Sequence, residues 1–171
     1  MVEVITRAAE QTEVQYLHVT GSEEHGDTLA RIRNAGVRLE DHPNLRVVPY
    51  LYNMPEAMAM ADIAVFRAGA TGLAELAARG VPAILIPYPY AAENHQEKNA
   101  RAMEAAGAAE VILNRDVSGA VLEGAIRQLL ADDARRAGMA AAMKRLGKPE
   151  AAEEIAALIT KIGRASCRER V

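Results

Sequence analysis

The feature that most constrains the fold is an alternation of short apolar runs with helical patterns, which is clearest in residues 62–99. Residues 63–66 form an apolar, partly β-branched run typical of a buried strand. A glycine-containing turn follows, and then a helical pattern that ends at Gly80 with Arg79 in its last turn. Another strand is predicted over residues 83–87, and a polar segment then opens a second helix. The stretch therefore predicts a strand, helix, strand, helix unit.

The same alternation runs through most of the chain. Three more strands are predicted over residues 14–20, 45–49 and 110–113. Because the strands are separated by helices, a parallel sheet with helices on both faces is the economical arrangement. Residues 2–11 are predicted to be the end of a helix whose beginning is absent, and the last helix is expected to end at residue 162. The predicted fold class is α/β and Rossmann-like.

Length and composition exclude several classes of protein. The chain has 171 residues, a formal net charge of -3 and a pI near 5.8, so it has no overall field that favours nucleic acid or an anionic membrane. Its single cysteine excludes an internal disulfide framework. No apolar run approaches the roughly 20 residues of a membrane span, and no signal segment begins the chain. We therefore expect one cytoplasmic domain.

The last nine residues differ from the rest. Residues 163–171 contain three arginines, one glutamate and no apolar periodicity, and they resemble translated read-through of a sequencing adaptor. We therefore expect residues 1–162 to form the domain and residues 163–171 to be a non-native tail. A native flexible basic tail is the alternative.

In parallel sheets, ligands gather at the carboxyl ends of the strands. The turn over residues 67–72 offers free backbone N–H groups and the positive end of a helix there, which suits diphosphate, and Thr71 can cap that helix. Glycine in this turn can equally serve tight packing. Arg67 adds a cation, although an arginine at a strand end also pairs with local carboxylates. One turn into the helix, Glu75 can accept both hydroxyls of a ribose; the alternative is a surface glutamate paired with Arg79 at i+4.

Two further loops carry candidate binding residues. His95, Gln96 and Asn99 share one side of a helix and suit uncharged sugar hydroxyls, unless this is an ordinary helix start with Asn94 as its cap. Residues 50–54 offer aromatic and sulfur surface for a flat base, unless they form a hydrophobic staple before the next helix. The four histidines have no neighbouring ligands at suitable spacing, so no metal site is predicted.

These motifs, taken in order, closely resemble the MurG family of glycosyltransferases. The resemblance covers residues 14–162 and is carried by residues 61–62, 67–70, 75–77, 80–87, 91–96 and 99–100, with 47–50 and Met54 in support. It implies the C-terminal half of a glycosyltransferase B fold, which binds UDP-GlcNAc. The whole enzyme would move N-acetylglucosamine onto lipid-linked muramoyl-pentapeptide, converting lipid I to lipid II in peptidoglycan synthesis.

The residue patterns and the resemblance together give the predicted substrate-binding set. The resemblance implies that the main chain of Leu51 meets uracil, that Glu75 holds the ribose and that the helix start after Gly69 faces diphosphate and sugar. The full set is Tyr50, Leu51, Met54, Arg67, Gly69, Ala70, Thr71, Gly72, Glu75, His95, Gln96 and Asn99.

The chain departs from the family pattern in two ways. Tyr90 stands where the family commonly has histidine. The N-terminal acceptor domain, with the catalytic base and the membrane-associating patch, is absent, so no catalytic residue is predicted here. We expect no metal or cofactor, no nucleic-acid partner, and a full-length protein that is peripheral on the cytoplasmic face of the membrane. The alternatives are another UDP-sugar enzyme of this fold, an epimerase or hydrolase, or a non-catalytic nucleotide-sugar-binding subunit.

Overall fold

The computed structural model describes the backbone of residues 1–168 and the side chains of residues 1–162. Within these residues there are five short strands: β1 (Tyr16–Val19), β2 (Leu45–Val48), β3 (Ala64–Phe66), β4 (Ala83–Leu85) and β5 (Ala109–Val111). The helices of the same part of the chain are α1 (Val2–Ala8), α2 (His25–Asn34), α3 (Met54–Met60), α4 (Ala70–Arg79), α5 (His95–Ala105), α6 (Gly119–Ala131), α7 (Asp133–Leu146) and α8 (Ala151–Arg168). Each predicted strand is present: four are shortened by one to three residues, and the fifth, predicted over residues 110–113, spans residues 109–111.

The strands confirm the predicted parallel α/β class and are divided between two sheets. β1 pairs in parallel with β2, and β4 lies between β3 and β5 in a second parallel sheet. Hydrogen bonds hold each sheet together internally, whereas apolar side chains join the two sheets. Tyr16 of β1 packs against two of the three core clusters, one on each side of the divide. The two sheets therefore share apolar core contacts, but no strand-to-strand hydrogen bonds join them.

Helix α1 also joins the two parts of the core. Val4 packs with Ile84 and Leu122, while its neighbour Ile5 packs with Ile32 and residues of β2. Both α1 side chains are almost fully buried. Successive residues of a helix point about 100° apart, so one short helix can fill two clusters at once.

Helix α4 is held between α3 and α7, which fixes the element that carries the predicted phosphate turn. Its Leu73, Leu76 and Ala77 are buried in the core cluster that also contains Met143 of α7. Gly80 ends the helix at φ +73, a conformation that glycine adopts without strain. Burial of this face therefore sets where the first turn of α4 points.

Helix α8 presents an apolar face to solvent. Ile155, Leu158, Ile159 and Ile162 lie at i, i+3, i+4 and i+7 and are 56–64 % exposed. The backbone stays helical to Arg168, past residue 162 where the sequence predicted an end. Residues 169–171 of the predicted tail lie outside the described part of the chain. Among the described residues, no helix combines the length and apolar character that crossing a membrane requires.

Candidate nucleotide-sugar site

The loops that follow β3, β4 and β5 meet at one edge of the sheet, as the sequence predicts for parallel strands. The strands are in register, with Phe66 opposite Leu85 and Leu85 opposite Val111. Arg67 follows β3 directly, and its Nη1 donates to the carbonyl oxygens of Ile86 (3.1 Å) and Pro87 (3.3 Å) and to Oδ1 of Asn114 (3.0 Å). One guanidinium group therefore touches the segments leaving all three strands.

The first turn of α4 leaves backbone donors free at this edge. The helix begins at Ala70 with Gly69 as its N-cap, and no side chain caps it. The prediction that Thr71 caps the helix is therefore wrong, because the N-cap lies two residues earlier, at Gly69, and Thr71 is already in the first turn. Within the described residues, the N–H groups of Ala70, Thr71 and Gly72 have no acceptor. The positive end of α4 is therefore open toward solvent.

The two glycines of this turn, Gly69 and Gly72, differ in how much space surrounds them. A Cβ added to Gly72 would lie 3.1 Å from ring carbons of Phe66, so tight packing accounts for this glycine. A Cβ added to Gly69 would have no heavy atom within 4 Å, and the φ of Gly69 is -72°. The protein's own packing therefore does not require glycine at residue 69. Its lack of a side chain leaves open space in front of the free N–H groups.

Glu75 lies one turn further along α4 and is exposed. Among the described residues it makes no hydrogen bond or ion pair, so the predicted alternative of a pair with Arg79 is not formed. It lines a small cavity of about 140 Å³ between α3 and α4, together with Pro55, Met58, Ala78 and Arg79. This cavity places the carboxylate beside the helix that follows the Tyr50–Met54 loop.

The loop from Tyr50 to Met54 joins β2 to α3 and exposes two aromatic rings. Tyr50 and Tyr52 are 60 % and 92 % exposed, and their rings pack edge to face with centroids 4.9 Å apart. A hydrophobic staple would need Tyr52, the residue before the N-cap Asn53, to pack on the helix, so that alternative is not formed. Met54 begins α3 and packs against the core cluster beneath α4, while Leu51 is half-buried. Exposed ring surface therefore lies near the α3 start.

The three polar residues predicted to contact sugar lie at the start of α5, and each uses one atom within the protein. Nδ2 of Asn99 donates to the carbonyl oxygen of Ala68 (3.2 Å), and Oε1 of Gln96 accepts from the Tyr88 N–H (3.0 Å). Nδ1 of His95 donates to the carbonyl oxygen of Ala92 (2.8 Å). Gln96 and Asn99 therefore tie α5 to the loops after β4 and β3.

The fixed amide groups leave one polar end of each side chain for another partner. The Nε2 donor of Gln96 and the Oδ1 acceptor of Asn99 make no hydrogen bond within the described residues. Asn94 occupies the N-cap position of α5, but its side chain donates to Glu97 (2.8 Å) instead of accepting a backbone N–H. Asn94 therefore stands at the predicted cap position, but its side chain does not cap the helix.

A strained segment, which sequence reasoning missed, leads into α5. Glu93 and Asn94 have φ values of +53 and +56. They are the only non-glycine residues with positive φ in the described part of the chain. Left-handed backbone costs about 1–2 kcal/mol per non-glycine residue, less for asparagine. The surrounding contacts must therefore hold this segment in place, and asparagine at residue 94 was the one sequence signal of it.

A cavity of about 780 Å³ lies between α1 and α6 and is lined by none of the predicted site residues. Its lining includes Glu123, which is 8 % exposed and pairs with Arg7 (3.1 Å) and Arg127 (2.7 Å). Burial, followed by the negative charge of Glu123, raises the pKa of Tyr16. The paired charges account for this groove as a structural link between the two helices. Among the described side chains, no group of three or more histidine, cysteine or acidic residues could hold a metal ion.

Comparison with known proteins finds a matching family model and similar sequences. Residues 1–155 match the model of the glycosyltransferase family 28 C-terminal domain. The chain is 43 % identical over 162 residues to a "UDP-N-acetylglucosamine--N-acetylmuramyl-(pentapeptide) pyrophosphoryl-undecaprenol N-acetylglucosamine transferase" of Desulforamulus reducens, covering 95 % of this chain and 44 % of the relative. A protein of the same name from Halothermothrix orenii is 43 % identical over 91 % of this chain and 42 % of its own length.

Solved structures show the same fold. The crystal structure of Acinetobacter baumannii MurG superposes with a TM-score of 0.73 at 25 % identity, covering 93 % of this chain and 48 % of that one. The glycosyltransferase VinC in complex with dTDP gives a TM-score of 0.70 at 18 % identity over 96 % of this chain and 38 % of VinC, a likeness of fold alone. This chain thus spans less than half the length of the relatives it matches.

Proposed function

The chain belongs to the glycosyltransferase family 28 C-terminal domain family, and from this premise we propose that residues 1–162 bind UDP-N-acetylglucosamine as the donor half of a transferase. The acceptor is a lipid-linked muramoyl-pentapeptide, the acceptor that the names of its relatives specify. Because this chain spans 44 % of the Desulforamulus relative, the acceptor-binding part lies in the remainder of the full-length protein. That remainder also makes the contact with the cytoplasmic face of the membrane.

The start of α4 is the observation that carries this proposal. Three N–H groups without an acceptor among the described residues, the positive end of a ten-residue helix and open space at Gly69 coincide at the carboxyl edge of a parallel sheet. A diphosphate fits this arrangement because backbone donors and the helix dipole both favour negative charge. Arg67 adds a positive charge at the same edge, and no carboxylate of the described residues pairs with it.

The other predicted residues bind the nucleoside end and the sugar end of UDP-N-acetylglucosamine. Uracil lies against the loop after β2, with the main chain of Leu51 reading its edge and Tyr50 and Met54 beside it. Glu75 accepts the ribose hydroxyls from its position beside α3. The N-acetylglucosamine lies toward α5, where Gln96 and Asn99 each have one polar atom that no other described residue binds. His95 lies on the same helix start.

The chemistry assigned to this half is stabilisation of the leaving group. When the bond between the anomeric carbon and UDP breaks, the diphosphate gains negative charge, and donors already aimed at it stabilise the transition state. The acceptor hydroxyl attacks from the opposite face of the sugar, so the configuration inverts. The base that takes the hydroxyl proton belongs to the other half of the enzyme.

Titration calorimetry with UDP-GlcNAc, UDP-glucose and UDP tests the donor site. Loss of a carboxylate that accepts two hydroxyls should weaken binding of all three ligands to Glu75→Ala by about 10–100-fold, the range for hydrogen bonds to a charged group. Glu153→Ala, an exposed glutamate on α8, is the matched control and should bind like the wild type. Equal affinity of Glu75→Ala and wild type would exclude the ribose role. No binding of UDP by the wild type would refute the donor site itself.

A further inference from the structure

Arg67 does more in this structure than supply a positive charge. Its Nη1 reaches the carbonyl oxygens of Ile86 and Pro87, which leave β4, and Oδ1 of Asn114, which follows β5. All three acceptors are neutral oxygens, at 3.0–3.3 Å. A guanidinium held in this way cross-links three chain segments and keeps its full charge.

The segment after β4 is held from both sides. Arg67 lies over the ring of Tyr88, with its central carbon 5.8 Å from the ring centroid. The Tyr88 ring packs edge to face against Tyr90 at 5.6 Å. On the other side, the Tyr88 N–H donates to Gln96 at the start of α5. Because this segment leads into the left-handed pair before α5, external contacts have to hold its conformation.

We propose that Arg67 is a positioning residue: with Asn114, it fixes the segment Pro87–Asn94 and through it the sugar end of the site. The inference rests on the proposed function, since it assigns a task within that site. Asn114 acts only through Arg67, because its Oδ1 is the oxygen that orients the guanidinium. A cation used only for the diphosphate would need no such partner.

Asn114 gives a way to test this without removing the cation. Asn114→Ala deletes the acceptor and leaves Arg67 in place, while Asn114→Asp retains an oxygen there and should restore the contact. Arg115→Ala is the matched control, because Arg115 is the next residue, is highly exposed and pairs only with its neighbour Asp116 in the described structure. Each variant is compared by amide hydrogen exchange of residues 88–94 and by calorimetry with UDP and UDP-GlcNAc.

We expect Asn114→Ala to speed exchange in residues 88–94 and to weaken UDP-GlcNAc by about 3–10-fold, the range for one hydrogen bond, with UDP changed less than about twofold. In an Arg67→Lys background, Asn114→Ala should have almost no further effect, because lysine lacks the planar fork that Asn114 orients. Asn114→Asp should restore the wild-type exchange in residues 88–94 but weaken UDP and UDP-GlcNAc alike, because its carboxylate pairs with the Arg67 charge. Arg115→Ala should match the wild type in both measurements.

If amide exchange in residues 88–94 is unchanged in Asn114→Ala, the positioning role is wrong. It is also wrong if exchange is faster but the affinity for UDP-GlcNAc is unchanged, or if the affinities for UDP and UDP-GlcNAc fall equally. If the wild type binds neither ligand, the proposed function fails by itself. The exchange comparison in the ligand-free protein then still decides whether Arg67 and Asn114 hold the segment.

Discussion

Gly147 offers a direct test of how α7 supports α4. It follows α7, and a Cβ built on it would lie 2.7 Å from the carbonyl oxygen of Ala77 in α4, whereas ordinary contact begins at 3.4 Å. Gly147→Ala must therefore push the end of α7 away from α4 by roughly 0.7 Å, since a backbone oxygen cannot rotate aside. Overpacking of this kind costs about 1–3 kcal/mol.

Thermal unfolding followed by circular dichroism measures the effect. For a chain of this size each kcal/mol lowers the melting temperature by about 2–4 °C. Gly138→Ala, within α7, is the matched control: its Cβ would have no heavy atom within 4 Å, so the helix propensity of alanine should raise stability by about 0.5–1 kcal/mol. The two substitutions should therefore move the melting temperature in opposite directions. An unchanged or raised value for Gly147→Ala would refute the close approach of the two helices.

Two further predictions concern the buried Asn44 and the half-buried His18. Nδ2 of Asn44 donates to the carbonyl oxygens of Ala8 (3.3 Å), Gln11 (2.9 Å) and Val14 (3.4 Å). Asn44→Asp places a carboxylate against these three carbonyls and should lower the free energy of unfolding, measured in urea, by about 2 kcal/mol or more. A loss of less than about 0.5 kcal/mol would show that these hydrogen bonds contribute little to stability. Burial, and then the positive charge of the Met1 amino group, lowers the pKa of His18. The folded state therefore favours neutral His18, so its contribution to stability is complete above the unfolded pKa of about 6.5 and is lost as the pH falls through the lower folded pKa. Urea unfolding between pH 7.5 and 5 should show a shallower fall for His18→Gln than for wild type, and identical slopes would speak against the shift.

Local patterns in the sequence predicted the elements well because their causes are local. The run at residues 63–66 and the Arg79-Gly80 ending depend on neighbouring residues only, and both agree with the structure. The cap of α4 was misplaced by two residues, because extended backbone at Gly69 begins the helix and glycine gives no side-chain signal.

The contacts that organise the site could not be read from the sequence. Arg67 and Asn114 are 47 positions apart, and Arg7 and Glu123 are 116 apart. No spacing rule links such pairs, since they meet only after the strands are paired and the helices packed. The sequence therefore indicated which residue types stand at the strand ends, whereas the tertiary structure decided which of their atoms are already occupied.

The division of the strands into two sheets has a consequence for how the domain opens. No ladder hydrogen bond joins β1 and β2 to the other three strands, so the two parts are coupled through Tyr16 and the adjacent side chains of α1. Separating the β1–β2 layer from the other three strands would therefore expose apolar side chains of Tyr16 and α1 to water but would break no hydrogen bond of the β3–β5 sheet.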